Sequence, residues 1–540
     1  MSSKIKKLLV ENANQLTNSS RNVLGSLSNK NMHVSYKHNE NIFIVNLYCK
    51  DIHKLEKNTV NDNQITFDVK RNVFIKTVLD NLKNIRTSLE PKKIVIDFSS
   101  PNIAKPFHVG HLRSTIIGNF IANINKYYNN NVTKINYLGD WGTQFGFLQY
   151  GLKQKNVTLN NLNDPIKTLY EVYVEANKLA QVDENVSIAA KKYFSDIEHG
   201  KTNLDSWKKI RDITIKELEN VYQRLGIKFN EYHWESDYNG KAIKGILDKL
   251  QDHNIMTSDS TGKKIAKVND RNVTVLKSDD STLYLSRDIA ALLDRYDRYK
   301  FDKMLYVVDN SQTDHFVAVF DIVGKLNKSA AECSKHIKFG RIKGMSTRSG
   351  NVIFLNDILD EAKHKMYEQQ KMSKNTRSAA INEQTCDILG TTAVLINDLK
   401  QRRQKDYTFS WERALQSEGD SGIKLQYLHC RLWSLERNCG VPLPNTLEPE
   451  YLKEEIVGDI VNELARFEDV MNQAYNESEA CIIVNYLFRL SNMVNRMFNE
   501  LKVKNVNRDV ASQRLLVFNS ARFVIKTALE ILGVKPLLEM

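Results

Sequence analysis

The sequence predicts an α/β core built on a doubly wound parallel sheet, with a small α+β unit before it and an all-α unit after it. Three observations predict this layout. From Lys92 onward, apolar runs of buried-strand type alternate with amphipathic helical stretches. Before Pro91, residues 41–48 (NIFIVNLY) read as strand and residues 73–89 as helix. Beyond about residue 355, helix follows helix to the C-terminus, with Pro442 and Pro444 marking a long connector.

The core elements follow in order. KIVIDFSS is a continuous apolar run, as expected of a strand covered on both faces. The loop PNIAKPFHVG leads into a helix, HLRSTIIGNFIANINKYY, and the strand TKINYL follows and ends at Gly139. This β–loop–α–β order implies parallel pairing. Residues from about 150 to 270 read as a largely helical insertion. The sheet pattern resumes with NVTVL and TLYL, followed by the helix SRDIAALLDRY, the strand KMLYVVD and the helix DHFVAVFDIVGKL. The expected domains are residues 1–90, residues 91–385 carrying the insertion, and residues 386–540.

Bulk properties narrow the function classes. A chain of 540 residues is long enough for about three domains. Lys+Arg 77 against Asp+Glu 64 gives a net charge of +13. That surplus suits a polyanionic partner such as nucleic acid, and a basic compartment or proteome would produce it equally. No apolar run reaches the length of a membrane span, so no membrane association is expected. The six cysteines (Cys49, Cys333, Cys386, Cys430, Cys439, Cys481) include no C-x-x-C pair. Neither a zinc ribbon nor a redox pair is therefore expected, and most of them should be small buried hydrophobes. The start of the chain carries Lys4, Lys6, Lys7 and Arg21 against a single acid, Glu11. That pattern matches a mitochondrial transit segment weakly and an ordinary first helix slightly better.

The sharpest local feature is His108-Val109-Gly110-His111, after a buried strand and at the start of a helix. Helix N-termini offer free N–H groups and a positive dipole end to anions. Two imidazoles there can donate to phosphate oxygens, and Gly110 lets a nucleotide approach the backbone. A metal pair and two helix-cap histidines are the alternatives on spacing alone.

A family resemblance bears on that choice. SSPNIAKPFHVGHLRST resembles the HIGH-type signature of class I aminoacyl-tRNA synthetases, in the form found in arginyl-tRNA synthetases. YLGDWGTQFG (residues 137–146) is similar to a segment largely peculiar to that family. SGIKLQYLHCRLWSLER, preceded by DYTFSWERALQSEGD, resembles the start of its anticodon-binding domain, and LEILGVKPLLEM resembles its last helix and ending. The resemblance spans about residues 90–540; the N-terminal unit fits the family's extra domain only by position and size. It implies a Rossmann-like catalytic core that activates L-arginine with ATP and Mg²⁺ and loads it onto tRNA(Arg), with no tightly bound cofactor and no zinc. It also implies that tRNA binds before the amino acid is activated. A monomer is expected.

The resemblance also assigns residues. His108, Gly110 and His111 would contact ATP. The family's second signature, KMSKS, corresponds here to Gly344-Met345-Ser346-Thr347-Arg348, which lacks both lysines. A catalytic cation must then come from elsewhere, and Lys105 stands where many family members carry a compensating lysine; Arg348 and Lys343 are further candidates. The catalytic set is thus His108, His111 and Lys105, with Met345, Ser346 and Arg348 added for ATP. The arginine pocket would use Ser100, Pro101, Asn102, His111, Tyr284, Asp288 and Gln312. A planar carboxylate suits a guanidinium, although Asp288 is also placed as a first-turn acid that favours the helix dipole. Asp97 is either a second acid near the guanidinium or a strand-end acid paired with a nearby lysine.

In the helical unit, Tyr427, Arg431 and Trp433 are either anticodon contacts or core residues of a bundle. The N-terminal unit would contact the tRNA elbow. The Gly-Met-Ser-Thr-Arg segment and the Lys-Pro-x-x-x-Met ending resemble the animal mitochondrial form more than the cytosolic one, so the mitochondrial matrix is expected, with the cytoplasm as the alternative. Two rival readings remain: another HxGH nucleotidyltransferase, and a non-catalytic synthetase-like protein that binds tRNA.

Overall fold

The computed structural model describes residues 8–9, 11, 32–37, 42–48, 60–61, 64–84, 90–103, 107, 109–160, 162, 164–198, 201–238, 240–278, 282–343, 354–372, 382–416 and 419–540. The chain forms two compact units. One comprises residues 1–89, 363–402 and 411–540; the other comprises residues 90–362 and 403–410.

The first unit begins with an antiparallel sheet of order β1-β2-β4-β3, made of β1 (Met32–Lys37), β2 (Ile42–Tyr48), β3 (Val60–Asn61) and β4 (Gln64–Lys70). Helix α1 (Arg71–Asn81) continues directly from β4, and Phe74 stacks on Phe43 at 3.8 Å. The buried Arg71 guanidinium donates to the carbonyls of Leu452 and Glu454, tying this small domain to the helical part of the same unit.

The second unit is the parallel core. Its five-stranded sheet has the order β12-β11-β5-β6-β7. The strands are β5 (Lys93–Asp97), β6 (Asn131–Leu138), β7 (Glu231–Trp234), β11 (Lys303–Asp309) and β12 (Ser334–Phe339). All four pairings are parallel. Helix α2 (Val109–Tyr127) crosses from β5 to β6 and runs over the sheet so closely that a Cβ on Gly118 would lie 2.2 Å from the Phe98 ring. Between β6 and β7 lie α3 (Gln144–Gln154), α4 (Pro165–Val182), α5 (Glu184–Glu198) and α6 (Asp205–Arg224). Then come α7 (Gly240–Asp252) and an antiparallel sheet of β8 (Met256–Ser258), β9 (Lys264–Val268) and β10 (Arg271–Leu276). Helices α8 (Tyr284–Tyr299) and α9 (Thr313–Leu326) flank β11.

The doubly wound core is as the sequence predicts, with three local corrections. NVTVL lies in β10, which pairs antiparallel with β9 and takes no part in the main sheet. TLYL is not a strand: Thr282 makes one isolated bridge and Tyr284 opens α8. There the Ser286 hydroxyl accepts from the Leu283 N–H at 2.9 Å, and that local bond starts a helix where apolar alternation suggested a strand. EYHW, inside the predicted helical insertion, is β7, the edge strand of the main sheet. β12, also an edge strand, buries only Ile337 and Phe339, so its sequence carries no continuous apolar run.

After α10 (Leu355–Met372) the first unit resumes with α11 (Glu383–Leu399), α12 (Gly422–Asn438), α13 (Glu455–Ala465), α14 (Phe467–Glu477), α15 (Ala480–Glu500) and α16 (Arg508–Ile531). Side-chain caps mark their starts: Asn382 accepts from the Thr385 N–H at 2.8 Å, and Asn507 from the Asp509 N–H at 2.9 Å. Among the described residues no helix is long and apolar enough to cross a membrane.

Two glycines test the packing. A Cβ on Gly146 would sit 1.9 Å from the Ala190 carbonyl oxygen, where α3 and α5 meet. Gly146→Ala should therefore cost ~1–3 kcal/mol and lower the thermal midpoint. Gly245→Ala, with nothing within 4 Å, should leave it unchanged or raise it. Equal midpoints for the two variants would contradict this packing.

Candidate active site

The chain leaves β5 in one direction toward β6 and β7, and returns on its other side through β11 and β12. Open sheets bind ligands at such a reversal, outside the carboxyl ends of the strands. At that edge β5 ends in Asp97, and the next turn is held under strain. Ser99 and Ser100 both have positive φ, 76° and 46°, a region costly for residues with a Cβ. A dense set of hydrogen bonds keeps them there. The Ser99 N–H donates to the Ser114 hydroxyl at 2.9 Å, and the Ser99 hydroxyl meets the Tyr222 hydroxyl at 2.7 Å. The Ser100 N–H donates to the Asn136 side chain at 3.0 Å, and its hydroxyl donates to Asp97 at 2.9 Å. Pro101 and Asn102 follow, bound to Gly139 at the end of β6.

Helix α8 closes one side of the cleft. Tyr284, Asp288 and Arg295 are spaced by four and seven residues, which puts them on one helical face. Arg295 is fully buried and pairs with Asp97 at 2.9 Å. Asp97 is thus a strand-end acid with an arginine partner. Burial raises its pKa more than Arg295 and Ser100 lower it. Tyr137 and Tyr306 flank Arg295, their rings 4.6 and 5.8 Å from the guanidinium carbon. Asp288 contacts His315 Nε2 at 2.6 Å. Tyr284 is half-exposed and lies over the Arg287 guanidinium at 4.9 Å.

A further acid was missed in the sequence. Glu235 follows β7 directly, 3.5 Å from Arg287. Burial drives its pKa up to about 8; Arg287 opposes the rise, while Asp288 and Asp140 add to it. Its signal was hidden because β7 itself was read as helical insertion. A carboxyl group at the end of an unrecognised strand looks like any surface acid.

The structure brings Ser100, Pro101, Asn102, Tyr284 and Asp288 to this one edge. His111 stands in the first turn of α2, half-buried, with its ring stacked on Phe107 at 5.5 Å, and Gly110 is exposed beside it. Gln312 is exposed in the short turn between β11 and α9. Lys105, His108, Met345, Ser346 and Arg348 lie outside the described residues. The strand before residues 344–353 is nonetheless anchored: β13 (Ile342–Lys343) pairs with β14 (Tyr407–Thr408). The buried Arg113 of α2 donates to the Gly340 carbonyl at 2.6 Å and to the Lys405 carbonyl at 2.9 Å.

The segment YLGDWGTQFG is mainly architectural. A Cβ on Gly139 would meet the Asn102 side-chain oxygen at 2.1 Å, so glycine alone allows that contact. Asp140 accepts from the Ser236 N–H and hydroxyl at 2.9 and 2.7 Å, and burial lifts its pKa to about 6. Trp141 is buried against Phe194 and Trp207.

The helical unit carries a separate groove of about 540 Å³, lined by Tyr427, Arg431, Trp433, Arg437, Phe498 and Lys504 among others. Tyr427 is 51% exposed, so it is not a core residue of the bundle. Arg431 lies 3.8 Å over Phe498, and Arg437 lies 4.4 Å over Trp433.

This fold and cleft are those of a class I aminoacyl-tRNA synthetase. Residues 74–411 match the family model "tRNA synthetases class I (R), catalytic domain", and residues 425–540 match the "DALR anticodon binding domain". The chain is 38% identical to the probable mitochondrial arginine–tRNA ligase of Bos taurus, over 88% of this chain and 85% of that one. It is 37% identical to the probable cytoplasmic enzyme of Dictyostelium discoideum, over 88% and 87%. The arginyl-tRNA synthetase structures from Plasmodium falciparum (TM-score 0.74, 24% identity, 95% of each chain) and Thermus thermophilus (TM-score 0.75, 18% identity, 89% and 88%) share its fold. The chain belongs to the arginyl-tRNA synthetases: it is an arginine–tRNA ligase with ATP as a substrate. Its relatives carry both mitochondrial and cytoplasmic names.

A guanidinium bound beside Glu235 should bind in a pH-dependent way. With its pKa near 8 in the free protein, the carboxyl is protonated at neutral pH. A bound guanidinium favours the ionised form and expels that proton. Arginine affinity should therefore rise as pH climbs from ~6.5 toward ~8 and level off above it, approaching tenfold per unit at most. Calorimetric titration across that range measures it. Glu235→Gln should flatten the profile, and an unaltered slope would remove Glu235 from the coupling.

Proposed function

We propose that arginine is activated in the cleft at the end of β5, with its guanidinium at α8 and its carboxylate toward the first turn of α2. The observation that carries this reading is the clustering of Asp288, Glu235 and Tyr284 beside the strained turn at residues 99–102. Two carboxylates match the planar fork of a guanidinium, and an aromatic ring covers its face. Gln312 closes the pocket. Ser100, the backbone of Pro101, Asn102 and His111 hold the ammonium and carboxylate of the amino acid.

ATP lies along the start of α2, contacted by His108, Gly110, His111 and Lys105, and is bound as well by Met345, Ser346 and Arg348. The arginine carboxylate attacks the α-phosphorus and pyrophosphate leaves. The terminal 2′-OH of tRNA then attacks the activated carbonyl, and AMP leaves. The protein contributes position and charge: the histidines donate to phosphate oxygens and the Lys105 ammonium steadies the triphosphate. Mg²⁺ is taken as the ion that ATP carries.

Residues 1–90 contact the tRNA elbow, residues 91–385 perform catalysis, and residues 386–540 hold the anticodon in the groove of Tyr427, Arg431 and Trp433. Bases stack on such aromatics while arginines meet phosphates. The enzyme acts as a monomer, with tRNA bound before activation. The mitochondrial matrix is its site, supported by the acid-poor first residues and by the segment at residues 344–348. Imaging a tagged chain with and without its first ~25 residues tests that location; a cytoplasmic full-length chain would refute it.

Lys105→Ala should slow adenylate formation ~100-fold in tRNA-containing pyrophosphate exchange, and change tRNA affinity less than about twofold. Equal effects on both would count against a catalytic lysine. Asp288→Asn should raise the arginine KM in the charging assay by ~100-fold. An unchanged KM would take Asp288 out of the guanidinium site.

A further inference from the structure

Several buried polar atoms around this cleft lack a hydrogen-bond partner among the described residues: Arg287 Nε, Arg295 Nε and Nη2, and the Tyr137 hydroxyl, which the reading above does not employ. β6 and β5 are in register with Asp97 beside Ile135, and β6 and β7 with Tyr137 beside His233. Residues two apart on a strand share a face, so Tyr137 projects from the same face of the sheet as Asp97. Tyr306, in register with Asp97 on the other side, shares that face as well. This is the face met by the Tyr284, Asp288 and Arg295 stripe of α8, as the Arg295–Asp97 pair requires.

The two tyrosines flank Arg295 but end differently. The Tyr306 hydroxyl lies 3.5 Å from Arg295 Nη1. The Tyr137 hydroxyl is buried and has no hydrogen-bond partner among the described residues. Its ring lies 4.6 Å from the Arg295 guanidinium carbon and edge-on to Tyr238, and the charges of Asp288 and Glu235 act on the hydroxyl. A buried hydroxyl left unpaired is costly, and such groups normally have a protein, water or ligand partner.

We infer that the Tyr137 hydroxyl is a specificity-determining contact that accepts a hydrogen bond from an N–H of the substrate guanidinium. This rests on the pocket reading given above. A guanidinium has five N–H donors, and the carboxylates cannot take all of them from one side. A phenolic oxygen opposite the acids takes one more. The Tyr137 ring also lies 4.6 Å from the buried Arg295 guanidinium carbon, so the same side chain covers the protein's own cation. An amino acid with a shorter or single-nitrogen cation leaves the hydroxyl unpaired.

Tyr137→Phe keeps the ring over Arg295 and removes only the oxygen. In the full-length enzyme it should raise the arginine KM and the calorimetric arginine Kd about tenfold. kcat, the ATP KM and the thermal midpoint should stay within about twofold or a degree of the parent. Asp288→Asn, measured beside it, separates the two readings. If Asp288→Asn weakens arginine binding and Tyr137→Phe does not, the Tyr137 contact is wrong and the pocket stands. If neither variant affects arginine, both readings fall. A Tyr137→Phe variant that raises every KM and lowers the midpoint would show a packing role, and would overturn the assignment.

Discussion

The buried Asp97–Arg295 ion pair is the constraint on which the cleft depends. Its side chains are 5% and 1% exposed, so both charges have left water at a cost of several kcal/mol each. The offset is local: the Ser100 hydroxyl donates to Asp97, and the Tyr137 and Tyr306 rings lie against the guanidinium. Removing either partner would strand the other charge, at about 3–5 kcal/mol. The pair fixes the rotation of α8 about its axis, because Arg295 must face β5. Asp288 and Tyr284, on the same stripe, then face the cleft. Through Ser100 the pair also steadies the turn at residues 99–102. One interaction therefore aligns α8 and the turn at residues 99–102 on either side of the cleft.

That arrangement was partly legible in the sequence. Buried apolar strands such as β5 and β11 were readable because burial on two faces leaves a nearly unbroken apolar run. Edge strands were not. β7 and β12 each have one side open to polar surroundings, so their four- and six-residue segments look like loop or helix. Glu235 went unnoticed for that reason. Arg295 was also invisible, since nothing in a helical sequence says that one of several arginines turns inward to meet a strand end.

The motifs separate into two kinds. Those at the strained turn and the start of α2 lie at the carboxyl end of β5, where open parallel sheets bind ligands. YLGDWGTQFG instead holds the insertion and the end of β6 in register, through a glycine that admits Asn102, an aspartate clamped by Ser236 and a buried tryptophan. Tyr137, its first residue, packs over the buried Arg295 guanidinium. Resemblance alone could not sort them, because a scaffold residue under tight steric demand looks as distinctive in sequence as one that touches substrate. Burial and hydrogen-bond geometry make the distinction.

The strand pair of β13 with β14 bears on how the protein is made. Residues 403–410 complete the catalytic unit, yet residues 363–402 before them belong to the helical one. On a ribosome the parallel sheet emerges whole by residue 339, but the partner of β13 and the Lys405 carbonyl that anchors Arg113 emerge more than sixty residues later. The β13–β14 pairing and the Arg113 bond to Lys405 can form only after α11 has been synthesised. Completion of the catalytic unit thus follows synthesis of residues 363–402, and a fragment ended at residue 362 lacks both β14 and the Lys405 carbonyl.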